Sequence, residues 1–216
     1  MTENILIIAA HSDDQIIGAG GTAAKYAKEG LNIKTIIVFG GEESHPHFQQ
    51  EIIINSRIKE SLKADKVIGG KGVNFLNFVE KGFSKEDAEK AITQIEKIVD
   101  KLKPTKIFTH TPEDPHPGHR KISNMVLEVT DKTKKSYEVY TFNIWSPFKI
   151  RRKNPRLIVD ISDTYKTKIQ ALKCFKSQFN LYAFLNYIPL ISMFIKNIIQ
   201  GRRQKVKFAE VFYRIR

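Results

Sequence analysis

Apolar residues follow two rhythms along this chain. Short, almost continuously apolar runs occur at 5–10 (ILIIAA), 34–39 (KTIIVF) and 106–110 (KIFTH). Runs of this length and β-branched content read as buried strands, because a strand covered on both faces has no polar side to show. Longer stretches with helical spacing lie between them. A segment opening at Gly20, Gly21 and Thr22 and closing at Gly30 predicts a helix between the first two strands, a βαβ unit. A second amphipathic stretch over 48–64 carries Ile52, Ile53, Ser56, Leu62 and Ala64 near helical spacing, and a short strand is expected after it at 66–68.

The sharpest helix is "SKEDAEKAITQIEKIVDKL" at 84–102. Ser84 and Asp87 have capping-box spacing, Ala88, Ile92, Ile95, Val99 and Leu102 repeat on one face, and Pro104 stops it. Further strands are expected near 137–144 and 156–161. Strands alternating with helices of this length predict an α/β fold: a mostly parallel sheet with helices on both faces. In such sheets ligands bind outside the carboxyl ends of the strands.

Two polar clusters fall at that edge. "AAHSDDQ" at 9–15 sets His11, Asp13 and Asp14 directly after the first strand, and "PEDPHPGH" at 112–119 sets Asp114, His116 and His119 after the strand at 106–110. Either alone has a plain structural use, as a helix-capping Asp, a hydrogen-bonded His or a proline-rich turn. Two at strand ends of one sheet point to a site. Imidazole and carboxylate suit a divalent ion such as Zn²⁺, held by three protein ligands with a position left open. His11, one Asp of the pair and one His of "HPGH" would supply them; the second Asp is then a general base and the other His a carbonyl polariser. The glycines of "GAGG" at 18–21 do not make a dinucleotide fingerprint: three polar side chains separate them from the strand, and Ala23 breaks the pattern. They fit a helix packed closely on the sheet.

With 216 residues, 41% of them apolar, the chain suffices for one core, and a single domain over 1–216 is expected. No basic stretch precedes the first apolar run, so no secretory signal is expected. A lone cysteine, Cys174, excludes an internal disulfide and suits a reducing, cytoplasmic setting; its helix-like surroundings assign it a structural role. The balance of 36 Lys+Arg against 23 Asp+Glu, a formal +13, favours acidic partners such as phosphorylated sugars or anionic lipid. Nucleic acid is not expected, for want of a module with aromatic stacking positions. An apolar, aromatic-rich segment around 179–200 is short for a spanning helix, which needs ~20 apolar residues, and Asn186 and Pro189 interrupt it. It reads as core or a homo-oligomer interface, or as an interfacial patch beside Arg202, Arg203 and Lys205 that meets anionic membrane peripherally.

"AAHSDDQIIGAGGTAAKYAKEG" together with "PEDPHPGH" resembles the PIG-L/LmbE-like zinc-dependent N-acetylglucosaminyl deacetylases, whose signatures are A-H-P-D-D-E and P-x-D-x-H-x-D-H. The likeness extends through Gly41 and Glu42, "RIKESL" with Arg57 and Glu60, and more faintly "KIQALKCFKSQ" and "FAEVF". It implies a Rossmann-like fold and removal of an N-acetyl group from a small-molecule or lipid-linked GlcNAc-type conjugate by metal-activated water. Carried over by position, it implies that His11, Asp14 and His119 bind Zn²⁺ or another divalent metal, that Asp13 is the base, that protonated His116 stabilises the oxyanion and that Arg57 contacts substrate. Ser12 and Gln15 stand where the pattern has Pro and Glu, and Gly118 where it has Asp, which leaves Asp114 as the carboxylate beside the motif's histidines. These departures define the competing reading, a member of the fold that binds a sugar or phosphorylated ligand without turning it over or with altered specificity.

Overall fold

The structure, a computed structural model, describes residues 2–41, 50–133, 137–145, 154–178 and 187–216. Glu42, positions 48–49 of the second expected helix and 179–186 of the apolar segment lie outside the described residues. Seven strands form one sheet: β1 (Asn4–Ala9), β2 (Asn32–Phe39), β3 (Val73–Phe78), β4 (Lys106–His110), β5 (Glu138–Phe142), β6 (Arg156–Asp160) and β7 (Ala209–Arg214). Their order is β3-β2-β1-β4-β5-β7-β6. The first five are mutually parallel, and β7 runs antiparallel to both β5 and β6. The fold is thus the expected mostly parallel Rossmann-like α/β sheet, and β1 is its switch point, pairing with β2 on one side and β4 on the other.

β1 shows why the sheet is covered twice. Successive side chains alternate faces, so Ile5 and Ile7 enter one core with Phe108, Tyr140, Phe142 and Phe212, while Leu6 and Ile8 enter the other with Ile92, Ile95, Val99, Ile122 and Val126. The first core is closed by α1 (Asp14–Lys28), the end of α2 (Gln50–Val67), α5 (Tyr165–Leu172) and α6 (Tyr187–Arg203). The second is closed by α3 (Lys85–Leu102) and α4 (Pro117–Lys132). The capping box of α3 is present: Ser84 Oγ accepts from the Asp87 amide, and Asp87 Oδ2 accepts from the Ser84 amide.

Two element boundaries differ from the sequence expectation. α1 begins at Asp14 rather than at the glycine pair, so Gly18, Gly20 and Gly21 lie within it. A Cβ at Gly18 would come 2.4 Å from the Phe142 ring, and one at Gly21 would come 2.7 Å from Ile161 Cδ1. Close approach to the sheet therefore overrides glycine's poor helix propensity. Residues 66–68 are not a strand. Lys66 and Val67 complete α2, and buried Ile68 packs against the first core before Gly69 turns the chain with φ +78. Asp65 Oδ2 accepts from the Gly72 amide, and the strand follows as β3.

Candidate metal centre

The carboxyl ends of β1 and β4 bring the two polar clusters together. The ring of His11 lies 5.1 Å from that of His116 and 5.5 Å from that of His119, centre to centre. Asp14 Oδ2 is the focus: it accepts from the His11 amide at 2.9 Å and lies 3.2 Å from His11 Nδ1 and 3.2 Å from His119 Nε2. Each of these histidines turns its outer nitrogen to another carboxylate. His11 Nε2 is 2.6 Å from Glu80 Oε2, and His119 Nδ1 is 3.1 Å from Asp114 Oδ1.

The charges agree with this layout. Burial works against a charge on His11, but Asp14 and Glu80 outweigh it and raise the group to about 9; burial of His119 is likewise outweighed by Asp14 and Asp114, raising it to about 10. Burial would raise Asp114, but His119 and the amides of His116 and Ile144 bring it down to about 2. Burial also acts against Asp14, yet His119 and His110 hold it well below the usual carboxylate range. Both ring nitrogens of His119 are buried and, although close to carboxylate oxygens, neither is angled for a hydrogen bond. A His–Asp–His triangle whose ligand atoms converge, each imidazole backed by a further carboxylate, fits a divalent cation.

Asp13 occupies the N-cap position of α1 but caps nothing with its side chain. Burial and then the neighbouring Asp14 charge raise its carboxyl, with Arg57 and His11 opposing. Arg57 is only 5% exposed; its Nη2 donates to Gln178 Oε1, and its guanidinium packs against the backbone of Gly41. Beside it, Glu60 accepts from the amide and hydroxyl of Ser177 at 2.9 and 2.6 Å, so the "RIKESL" and "KCFKSQ" stretches meet behind the site.

Asp114 stands beside one of the motif's two histidines: its Oδ1 accepts from the His116 amide and faces the His119 ring, while its Oδ2 accepts from the amides of Ile144 and Trp145. One expectation changes. His116 is not set up as a cation. Burial and the charges of His119 and His11 push it below its ordinary value, and its Nδ1 accepts from the Gly118 amide at 3.1 Å, which leaves the proton on Nε2. Two site residues escaped the sequence reading. Glu80 follows β3, and His110 ends β4 with its Nε2 accepting from the Ala10 amide at 3.0 Å and its ring stacked 3.9 Å from that of His119.

A family model described as PIG-L, GlcNAc-PI de-N-acetylase, matches residues 6–130. The chain belongs to the PIG-L family. Among curated relatives it is 24% identical to a probable N-acetyl-alpha-D-glucosaminyl L-malate deacetylase 2 of Bacillus cereus, covering 82% of this chain and 84% of that one. It is 27% identical to the mycothiol S-conjugate amidase of Streptomyces coelicolor, covering 69% and 61%. Among solved structures, the N,N'-diacetylchitobiose deacetylase of Pyrococcus horikoshii superposes with TM-score 0.82 at 22% identity, covering 99% of this chain and 84% of that chain. The 4-carboxy-2-hydroxymuconate hydratase of Pseudomonas putida also reaches 0.82, at 17% identity and with 100% and 97% covered. At such identities these likenesses carry the fold alone, and a PIG-L fold that also serves a hydratase makes the site the place to argue function.

Proposed function

We propose that the protein is a metal-dependent N-deacetylase that hydrolyses the N-acetyl amide of a GlcNAc-type sugar conjugate. The observation that carries this is the convergence of His11, Asp14 and His119 at the carboxyl ends of the neighbouring strands β1 and β4, with Asp13 alongside and capping nothing. The three would hold a divalent ion, with Zn²⁺ best matched to two imidazoles and a carboxylate; bound there, it would supply Lewis acidity toward the amide carbonyl and the attacking water. Asp13, its carboxyl raised by burial and by Asp14, takes a proton from water and returns it to the departing amine nitrogen. His116 donates from Nε2 to the amide oxygen as charge builds there, acting as a neutral imidazole. Arg57 lies where its charge steadies Asp13, and a sugar hydroxyl or phosphate is the substrate group it would meet.

Release of primary amine from a panel of GlcNAc conjugates, read beside zinc content, tests the assignment. Asp13→Ala keeps its zinc and loses roughly 10²- to 10⁴-fold in kcat, while His119→Ala loses the zinc. Wild-type protein that holds zinc and releases amine from none of the panel marks a ligand-binding member instead.

A second reading concerns where the substrate is met. α6 exposes Ile188, Ile191, Ile195 and Ile199 along one face, ahead of Arg202 and Arg203. An apolar stripe with a basic end fits peripheral contact with anionic membrane and access to a lipid-linked amino sugar. Among the described residues no helix is long and apolar enough to cross a membrane.

A further inference from the structure

Gly118 stands where the family pattern has an aspartate, and the structure shows what fills the space. A Cβ built on Gly118 would lie 2.1 Å from Glu80 Oε1, 2.9 Å from Glu80 Cδ and 3.2 Å from His116 Nδ1. Any side chain at 118 and the present seat of Glu80 are therefore mutually exclusive. Nor does the backbone ask for glycine here: Gly118 lies in the first turn of α4 and is not among the residues of positive φ. Glycine is a poor helix former, so its presence is accounted for by the carboxylate that it admits.

That carboxylate reaches in from another element. Glu80 sits on the turn between β3 and α3, its Oε2 2.6 Å from His11 Nε2 and its Oε1 3.7 Å from His116 Nδ1. Asp114 cannot serve both histidines, being engaged with His119 and three backbone amides. We propose that Glu80 is a positioning residue that supplies, from the β3–α3 turn, the carboxylate that the pattern carries at position 118. One oxygen fixes the outer nitrogen of His11, so that Nδ1 faces Asp14, and the other stands beside His116. Outer carboxylates of this kind set the tautomer and direction of a metal-binding imidazole, and their loss typically weakens metal affinity about 10- to 100-fold.

The proposal rests on the metal-centre reading and is tested by a mutant cycle in the full chain: Glu80→Ala, Gly118→Asp and the double variant. Zinc affinity is measured by chelator competition, and amine release from N-acetylglucosamine conjugates by kcat and KM. Glu80→Ala weakens zinc about 10- to 100-fold and lowers kcat more than it raises KM. Gly118→Asp alone is also impaired, because two carboxylates claim one place. A purely structural account predicts the opposite, since an acidic residue in the first turn of a helix ordinarily stabilises it. The double variant recovers at least about tenfold over Glu80→Ala in zinc affinity or kcat. A Gly118→Asp protein that matches wild type, or a double variant no better than Glu80→Ala while both keep the wild-type thermal midpoint, overturns the role of Glu80. Wild-type protein that binds no zinc overturns the metal-centre reading itself, and the zinc arm separates the two failures without turnover.

Discussion

His110 shows what one fully buried side chain contributes to the site, its Nε2 lying 3.4 Å from Asp14 Oδ2. Burial, and then the charge of His119, push it down to about 4, so it is neutral, and its Nε2 accepts the Ala10 amide at 3.0 Å. That bond ties the end of β4 to the end of β1, the residue before His11, and the stacked ring gives His119 a flat wall. His110→Phe preserves the wall and removes the acceptor, leaving a buried N–H unpaired. The cost is about 1–3 kcal/mol in urea unfolding, accompanied by weaker zinc binding as the β1 end loosens; unchanged stability would show that the bond is idle. The sequence reading takes His110 as the last residue of the strand at 106–110 and not as part of the polar cluster that begins at Pro112. The two clusters that hold His11, Asp14 and His119 were legible because each stands next to a strand, where charge needs a reason; the choice of Asp14 over Asp13 and of His119 over His116 came only from the family resemblance. The swap between Gly118 and Glu80 could be read only half way: the missing aspartate was visible, its replacement was not, because the pairing is spatial.

At the level of elements, the misplaced strand explains why Glu80 was hidden. Putting a strand at 66–68 left 73–78 unassigned, and with it the knowledge that Glu80 follows a carboxyl end at the same edge as the two clusters. Val73–Phe78 carries Asn74 and Asn77, and its partial burial dilutes the apolar signal by which β1 and β2 were recognised. β7 was equally obscured: "AEVFYR" contains Glu210, which pairs with buried Lys168 at 2.6 Å and accepts from the Gly21 and Thr22 amides within α1. α6 offers a test through its own half-buried lysine. Burial depresses Lys196 to about 8, with Lys168 adding and Asp114 opposing, and its Nζ lies 3.5 Å from the Asn143 carbonyl. The folded-state value lies below lysine's ordinary 10.5, so folding disfavours the proton, and stability rises as pH climbs from about 8 toward 10.5. Lys196→Met lacks this dependence. Chemical denaturation across that window should find the variant the more stable at pH 7, with the gap closing toward pH 10.5; a constant gap would mean that Lys196 titrates normally.

At the largest scale, the question is what a formal charge of +13 and an apolar helix face exposed among the described residues do together. Four isoleucines along α6 are between 43% and 58% exposed, and the cavity beside them, about 530 Å³, is lined by Leu172, Phe175, Met193 and Phe194 with Lys173 and Lys176 at its edge. A second copy of this chain would bring the same lysines and arginines against each other, which opposes self-association, whereas an anionic lipid surface satisfies both the apolar stripe and its basic surround. Near such a surface each Lys or Arg contributes about 1 kcal/mol. Arg202→Gln with Arg203→Gln should therefore weaken binding to phosphatidylglycerol-containing vesicles by about 2 kcal/mol, roughly 30-fold, and Ile191→Ser with Ile195→Ser should weaken it by a different route. Flotation separates the two: the arginine pair's contribution vanishes in high salt as screening shortens the reach of charge, while the isoleucine pair's persists. Turnover of a water-soluble GlcNAc conjugate stays at the wild-type level in both variants, since neither pair belongs to the metal centre. Equal flotation of wild type on neutral and anionic vesicles, or a concentration-dependent dimer that both substitutions disrupt, assigns the face to another copy of the chain and removes lipid from the account.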